Sequence, residues 1–85
     1  MAIDMLYFAW VRERIGKSEE RLTPPAGIST VADLIDWLAG QSDGHATAFA
    51  DRSRLRAAVD QRFVPLDTAI GGAREIAIFP PVTGG

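Results

Sequence analysis

The sequence contains no cysteine and a single histidine. Disulfides, cysteine-based zinc sites and a thiol nucleophile are therefore excluded, and one imidazole cannot build the common spaced metal-ligand sets. There is no excess of positive charge. Nine Lys and Arg face eleven Asp and Glu, giving a net charge of −2 and a pI near 5.2. Nucleic-acid binding ordinarily needs a basic footprint, so this balance speaks against it. Long hydrophobic runs are missing too. The longest, Met5 to Val11, falls far short of the roughly 20 residues of a membrane span. Asp4 precedes that run and the first Arg follows it, unlike the basic start of a secretory signal. The expectation is a cytoplasmic protein that binds neither membrane nor nucleic acid. Enzyme signatures are also lacking: there is no Gly-rich phosphate loop after a strand, no nucleophile elbow and no His-Glu-x-x-His helix.

What is present fits one small globular domain. Of 85 residues, 47% are hydrophobic and 24% charged, close to ordinary soluble composition. A chain this size removes a little over about 60% of its unfolded surface from water, enough for one core but not for a deep cleft.

Ala2 to Trp10 alternates and predicts a strand, with Ile3, Met5, Tyr7 and Ala9 on one face and Asp4, Leu6, Phe8 and Trp10 on the other. Val11 to Gly16 reads as a short helical turn ended by glycine, and Ser18 to Thr23 as a second, mostly polar strand. Pro24-Pro25-Ala26-Gly27 stops both ladder and helix. The clearest helix is Val31 to Ala39. Thr30 can cap it, Asp33 stands three residues on, and Val31, Leu34, Ile35 and Leu38 make one apolar stripe. Gly40 and Gly44 bracket an expected loop, followed by a weaker helix over Ala46 to Ser53. Ala57 to Asp60 predicts a strand, Gln61-Arg62 a turn and Phe63-Val64 a return. Ile70 to Ala73 predicts another turn, and Arg74 to Phe79 a last strand. The pattern implies an α+β roll, a mixed sheet wrapped on one main helix, with the other sheet face open to water or to a partner.

Most polar candidates have a plain explanation. Asp33 and Asp36 sit in the first turns of a helix, where acids complement the dipole. His45 is expected to be a solvated loop residue. Arg52, Arg54, Arg56 and Arg62 form a basic run, either a solvated face or a docking site for an acidic partner. The open sheet face is more informative. Asp4 marks its side of the first strand as solvent-facing, since burying an unpaired carboxylate is costly. The period of two then places Leu6 and Phe8 outside, and by the same logic Phe63, Ala77 and Phe79, leaving Val64, Ile76 and Ile78 for the core. Phe8, Phe63 and Phe79 together would make an apolar patch of the kind that binds proteins. The terminal Gly84-Gly85, after two stiffening prolines, suits a tail threaded extended into a narrow channel, where glycine permits close backbone approach.

Phe79-Pro80-Pro81-Val82-Thr83-Gly84-Gly85 resembles the terminal motif of the small subunits of molybdopterin synthase, the MoaD branch of the MoaD/ThiS sulfur-carrier family. Tyr7-Phe8-Ala9-x-Val11-Arg12-Glu13 is similar to that family's opening strand and turn. Ala57-Ala58-Val59-Asp60-Gln61 matches a third stretch, with Asp60 where relatives often have Asn, while Ser18 to Arg54 matches only in pattern. The resemblance implies a ubiquitin-like β-grasp domain over residues 1–80 and an extended tail over 81–85. It implies that the Gly85 carboxylate is adenylated by an E1-like adenylyltransferase using ATP and converted to a thiocarboxylate. The large subunit of a heterotetrameric synthase would then receive Pro80, Pro81, Val82, Thr83 and Gly84 as the inserted tail, and sulfur would pass to a cyclic pterin precursor in molybdenum cofactor biosynthesis. Phe8, Phe63 and Phe79 would bind the partner. On this reading the chain holds no metal and no cofactor of its own, and catalytic groups belong to its partners. The alternatives are a ThiS-like carrier for thiazole synthesis (such carriers tend to be shorter and lack Phe-Pro-Pro), a modifier attached to lysine, and a plain β-grasp interaction module.

Overall fold

The computed structural model describes residues 2–81. Strand β1, Ile3–Tyr7, buries Ile3, Met5 and Tyr7 and exposes Asp4, as the alternation predicts. It ends earlier than the sequence pattern suggests. Phe8 caps helix α1, Ala9–Ile15, and its carbonyl accepts from the Val11 and Arg12 N–H groups. Ala9 adopts φ 52°, a left-handed turn that takes Phe8, Ala9 and Trp10 out of the sheet. Alternation is blind to such a turn, and Ala9, expected on the core face, is exposed. Gly16 closes α1 at φ 91°, donating to the Arg12 carbonyl.

Strand β2, Glu19–Leu22, pairs antiparallel with β1. Helix α2 spans Val31–Ala39. The Thr30 hydroxyl accepts from Asp33 N–H at 3.1 Å, and Asp33 Oδ2 accepts back from Thr30 N–H at 3.2 Å. Val31, Leu34, Ile35 and Leu38 are all buried. Helix α3, Asp43–Ala48, stands where a loop and the start of a later helix were expected. Ser42 caps it by accepting from His45 N–H, and Phe49, just beyond it, is buried. Gly44 lies inside this helix rather than in a loop. A Cβ there would sit 2.5 Å from the Arg14 carbonyl oxygen, so glycine lets α1 and α3 touch. The expected helix through Ser53 breaks, and Arg52–Arg54 form a separate 3₁₀ turn capped by Asp51.

Strands β3, Arg56–Val59, and β4, Arg62–Val64, form a hairpin turning at Asp60 and Gln61, one residue earlier than predicted. Both take positive φ, 48° and 71°, the geometry that matches strand twist in a two-residue turn. Asp60 Oδ1 accepts from the Arg74 and Glu75 N–H groups at 3.0 Å each, tying the hairpin to β5, Glu75–Phe79. The sheet order is β2-β1-β5-β3-β4, with β1 and β5 parallel at the centre and the other pairs antiparallel. The inward residues of β1, β3 and β5 share one apolar cluster with Val11 of α1, the α2 stripe and Ala48 of α3. All three helices thus lie on one face. This is the ubiquitin-like β-grasp, and its other sheet face is open.

Candidate functional site

Strand register builds the open face row by row. Leu6 of β1 stands beside Ala77 of β5, Ala77 beside Ala58 of β3, and Ala58 beside Phe63 of β4. Two alanines form a floor between larger side chains, and the result is a trough. Phe63 is 81% exposed and Phe8 46%. Phe79, half-buried, packs its ring against Phe63 with centroids 5.4 Å apart. Pro80 and Pro81 line the same groove, whose volume is about 670 Å³, so the root of the tail leaves across it. Phe8, Phe63 and Phe79 are therefore brought together as the parity argument predicts. Phe8 gets there as the cap of α1 and not as a strand residue. Val64 packs against the core, again as expected. Val82, Thr83, Gly84 and Gly85, expected to carry tail insertion and the reacting carboxylate, lie outside the described residues.

Glu75 is the one ionisable side chain lining the groove among the described residues. The same residues contain no group of three or more His, Asp or Glu able to hold a metal ion. What this face offers is contact area: aromatic rims over an alanine floor.

His45 corrects an expectation. It is 4% exposed, inside α3, and its Nε2 lies 2.7 Å from Glu20 Oε2. Its Nδ1 lies 2.7 Å from Ser42 Oγ, and Tyr7 Oη donates to the same Glu20 oxygen at 2.7 Å. Burial alone would raise the Glu20 pKa. The hydrogen bonds from Tyr7 and His45, with the charges of His45 and Lys17, outweigh it and hold the carboxyl below its usual range. Burial first, then the Glu20 carboxylate, push the Tyr7 phenol well up. A signal existed in the sequence: Glu20 alternates in phase with Leu22, so it faces inward and needs a partner. The partner, 25 residues away, could not be read locally.

The basic run is not one patch. Arg52 pairs with Asp36 and donates Nε–H to the Phe49 carbonyl at 2.8 Å. Arg62 pairs across from Val59, at the opposite end of the β3–β4 hairpin from Arg56. Arg54 instead lies over the Trp10 ring, 5.3 Å from its centroid, where Arg14 also lies at 4.4 Å. Asp33 serves the capping box, as expected.

Known proteins match the chain over nearly its whole length. The ThiS family matches residues 5–85. The molybdopterin synthase sulfur carrier subunit of Escherichia coli (strain K12) is 42% identical over 83 residues, covering 98% of this chain and 99% of that protein. Among solved structures, a putative molybdopterin converting factor, subunit 1, from Pyrococcus furiosus is similar with a TM-score of 0.71 at 26% identity, covering 96% of this chain and 99% of that one. The small archaeal modifier protein 1 of Haloferax volcanii is similar with a TM-score of 0.69 at 26% identity, covering 95% and 98%.

Proposed function

Because this chain belongs to the ThiS family, we propose that it is a sulfur carrier, and specifically the small subunit of a molybdopterin synthase. The observation that carries this reading is the 42% identity to a molybdopterin synthase sulfur carrier subunit across 99% of that protein's length. The groove and the tail supply the physical rationale. An α-carboxylate has a pKa near 3.5 and is an unreactive anion at neutral pH, so it must be activated before sulfur can attack. In the proposed sequence a Gly85 carboxylate oxygen attacks the α-phosphorus of ATP on an E1-like enzyme and pyrophosphate leaves. Hydrosulfide then attacks the acyl carbon and displaces AMP, losing its proton and leaving a thiocarboxylate. ATP is the activating enzyme's substrate, and the carrier needs no thiol of its own, in keeping with the absence of cysteine.

The large subunit would dock over Phe8, Phe63 and Phe79 and take the tail. Residues 81–85, fully extended, reach at most about 17 Å, so the reacting carboxylate stays close to the docked face. Two prolines at the root limit the conformations lost on insertion. Sulfur would then pass to a cyclic pterin precursor. The test is the intact mass of the protein after incubation with the E1-like enzyme, ATP and a sulfur donor. One terminal oxygen replaced by sulfur is expected, and that product should yield molybdopterin with the large subunit and precursor. An unchanged carboxylate under those conditions would overturn the proposal. The similarity to a protein named as a modifier favours a second reading, attachment of the tail to lysine. Its mark would be a lysine branched with this chain's C-terminal peptide.

A further inference from the structure

Beyond one end of the groove stand basic side chains that the carrier chemistry does not use. Arg14 and Arg54, from α1 and the 3₁₀ turn, both lie over Trp10, which is half-buried and packed on the core. A cation held over an indole face is oriented at little cost in hydration. Arg56 follows two residues later, opposite Phe79 in the register, and donates to the Leu55 and Ser53 carbonyls at 2.8 and 3.2 Å. Lys17, Arg21 and Arg52 each have a carboxylate within 4 Å, whereas Arg14, Arg54 and Arg56 have none among the described residues. Asp51, which senses Arg54, is engaged by Ser53, whose hydrogen bonds are the main cause of its lowered pKa.

Arg56 borders the root of the tail, sharing a surface with Phe63, Pro65 and Phe79. Ala9, next to Trp10, lines the groove together with Phe79 and Pro80. Glu75 lines the other end, four residues back along β5, or about 13 Å. Glu75 is thus the charge at one end of the groove, and the arginines stand beyond its other end, where Arg56 shares a surface with Phe63 and Phe79.

We propose that Arg14, Arg54 and Arg56 form a basic rim that meets carboxylates on the protein docked over the groove, and so fixes which way that protein lies along the sheet. The inference rests on the docking reading above and adds the partner's charge and direction. An apolar groove alone would accept a partner in either direction. A charged rim at one end raises the rate of encounter and penalises the reversed pose, where like charges would face each other.

The experiment measures association of the full chain with the large subunit of molybdopterin synthase at low and high salt. Arg54→Glu and Arg56→Glu should each slow association about tenfold or more at low salt, and the difference should shrink at high salt as charges are screened. Arg54→Lys should keep most of the rate. Arg74→Glu, an equal change in net charge near the other end, should stay within about twofold of the parent. Unchanged association in Arg54→Glu and Arg56→Glu, or equal slowing by Arg74→Glu, would overturn the rim. Phe63→Asp separates the premise: if it binds normally, the docking reading itself fails. If it loses binding while the Arg variants do not, only the rim is lost.

Discussion

At Glu20 a single carboxylate oxygen accepts from Tyr7 of β1 and lies 2.7 Å from His45 of α3, so one residue of an edge strand joins three elements. Removing a buried partner of this kind leaves the others unsatisfied, at about 1–3 kcal/mol. Glu20→Ala should cost that much in urea unfolding at neutral pH. The pH dependence has a definite sign. The native pKa is depressed below its ordinary value of 4.5, so the ionised form is favoured in the fold. Its contribution is complete above that ordinary value and is lost as pH falls through the depressed native one. Between pH 6 and the acid limit the melting temperature of the parent should therefore drop more steeply than that of Glu20→Gln. Parallel curves would show that the carboxylate carries no linkage.

Among the elements, α2 was fully legible, with cap, bounds and buried stripe all written within one stretch of sequence. Thr30→Ala removes the acceptor for Asp33 N–H and should lower stability by about 1 kcal/mol, read as a shift in urea midpoint at constant slope. Serine at that position should restore most of the loss. Helix α3 escapes the periodicity argument because its determinants are not periodic. A six-residue helix shows too few turns for a stripe, and its anchor is the pairing of His45 with Glu20. The end of β1 is hidden from the alternation for a related reason. Phe8 and Trp10 continue the alternation on paper, yet backbone hydrogen bonds to the Phe8 carbonyl start a helix there.

For the whole molecule, the open face and the tail make separable predictions. Phe63→Asp should barely change the melting temperature, because the ring is already mostly in water, and should weaken partner binding by tenfold or more, about 1.4 kcal/mol. Phe79→Asp should also block binding but destabilise the fold more, since Phe79 is half-buried against Phe63. Equal stability losses in the two variants would contradict the packing described. At the tail, one residue added after Gly85 moves the free carboxylate by about 3.5 Å. Displacement of a reacting group by about 1 Å can already cost 100-fold in rate. The extended protein should dock normally yet gain no thiocarboxylate at Gly85. Normal sulfur transfer by protein shown by mass to retain the extra residue would sink the carrier reading.

Much of this was decided within the sequence. The missing cysteines and the single histidine removed thiol and common metal chemistry. Strand alternation assigned Leu6, Phe63, Ala77 and Phe79 to the open face, and the Phe-Pro-Pro-x-Thr-Gly-Gly ending pointed to sulfur carriage. The strand assignments are patterns within a few residues, where local geometry follows from covalent periodicity, whereas the ending speaks through its resemblance to the sulfur-carrier family. Only the tertiary structure decided what lies beside what. The parallel pairing of β1 with β5 carries Phe8 to Phe79, and the hairpin carries Phe63 to the same place. Packing of α3 against α1 and α2 brings His45 onto Glu20, and the 3₁₀ turn brings Arg54 to Trp10 from more than forty residues away. Such pairs are fixed by the shape of the closed core, and no short stretch of sequence contains both partners.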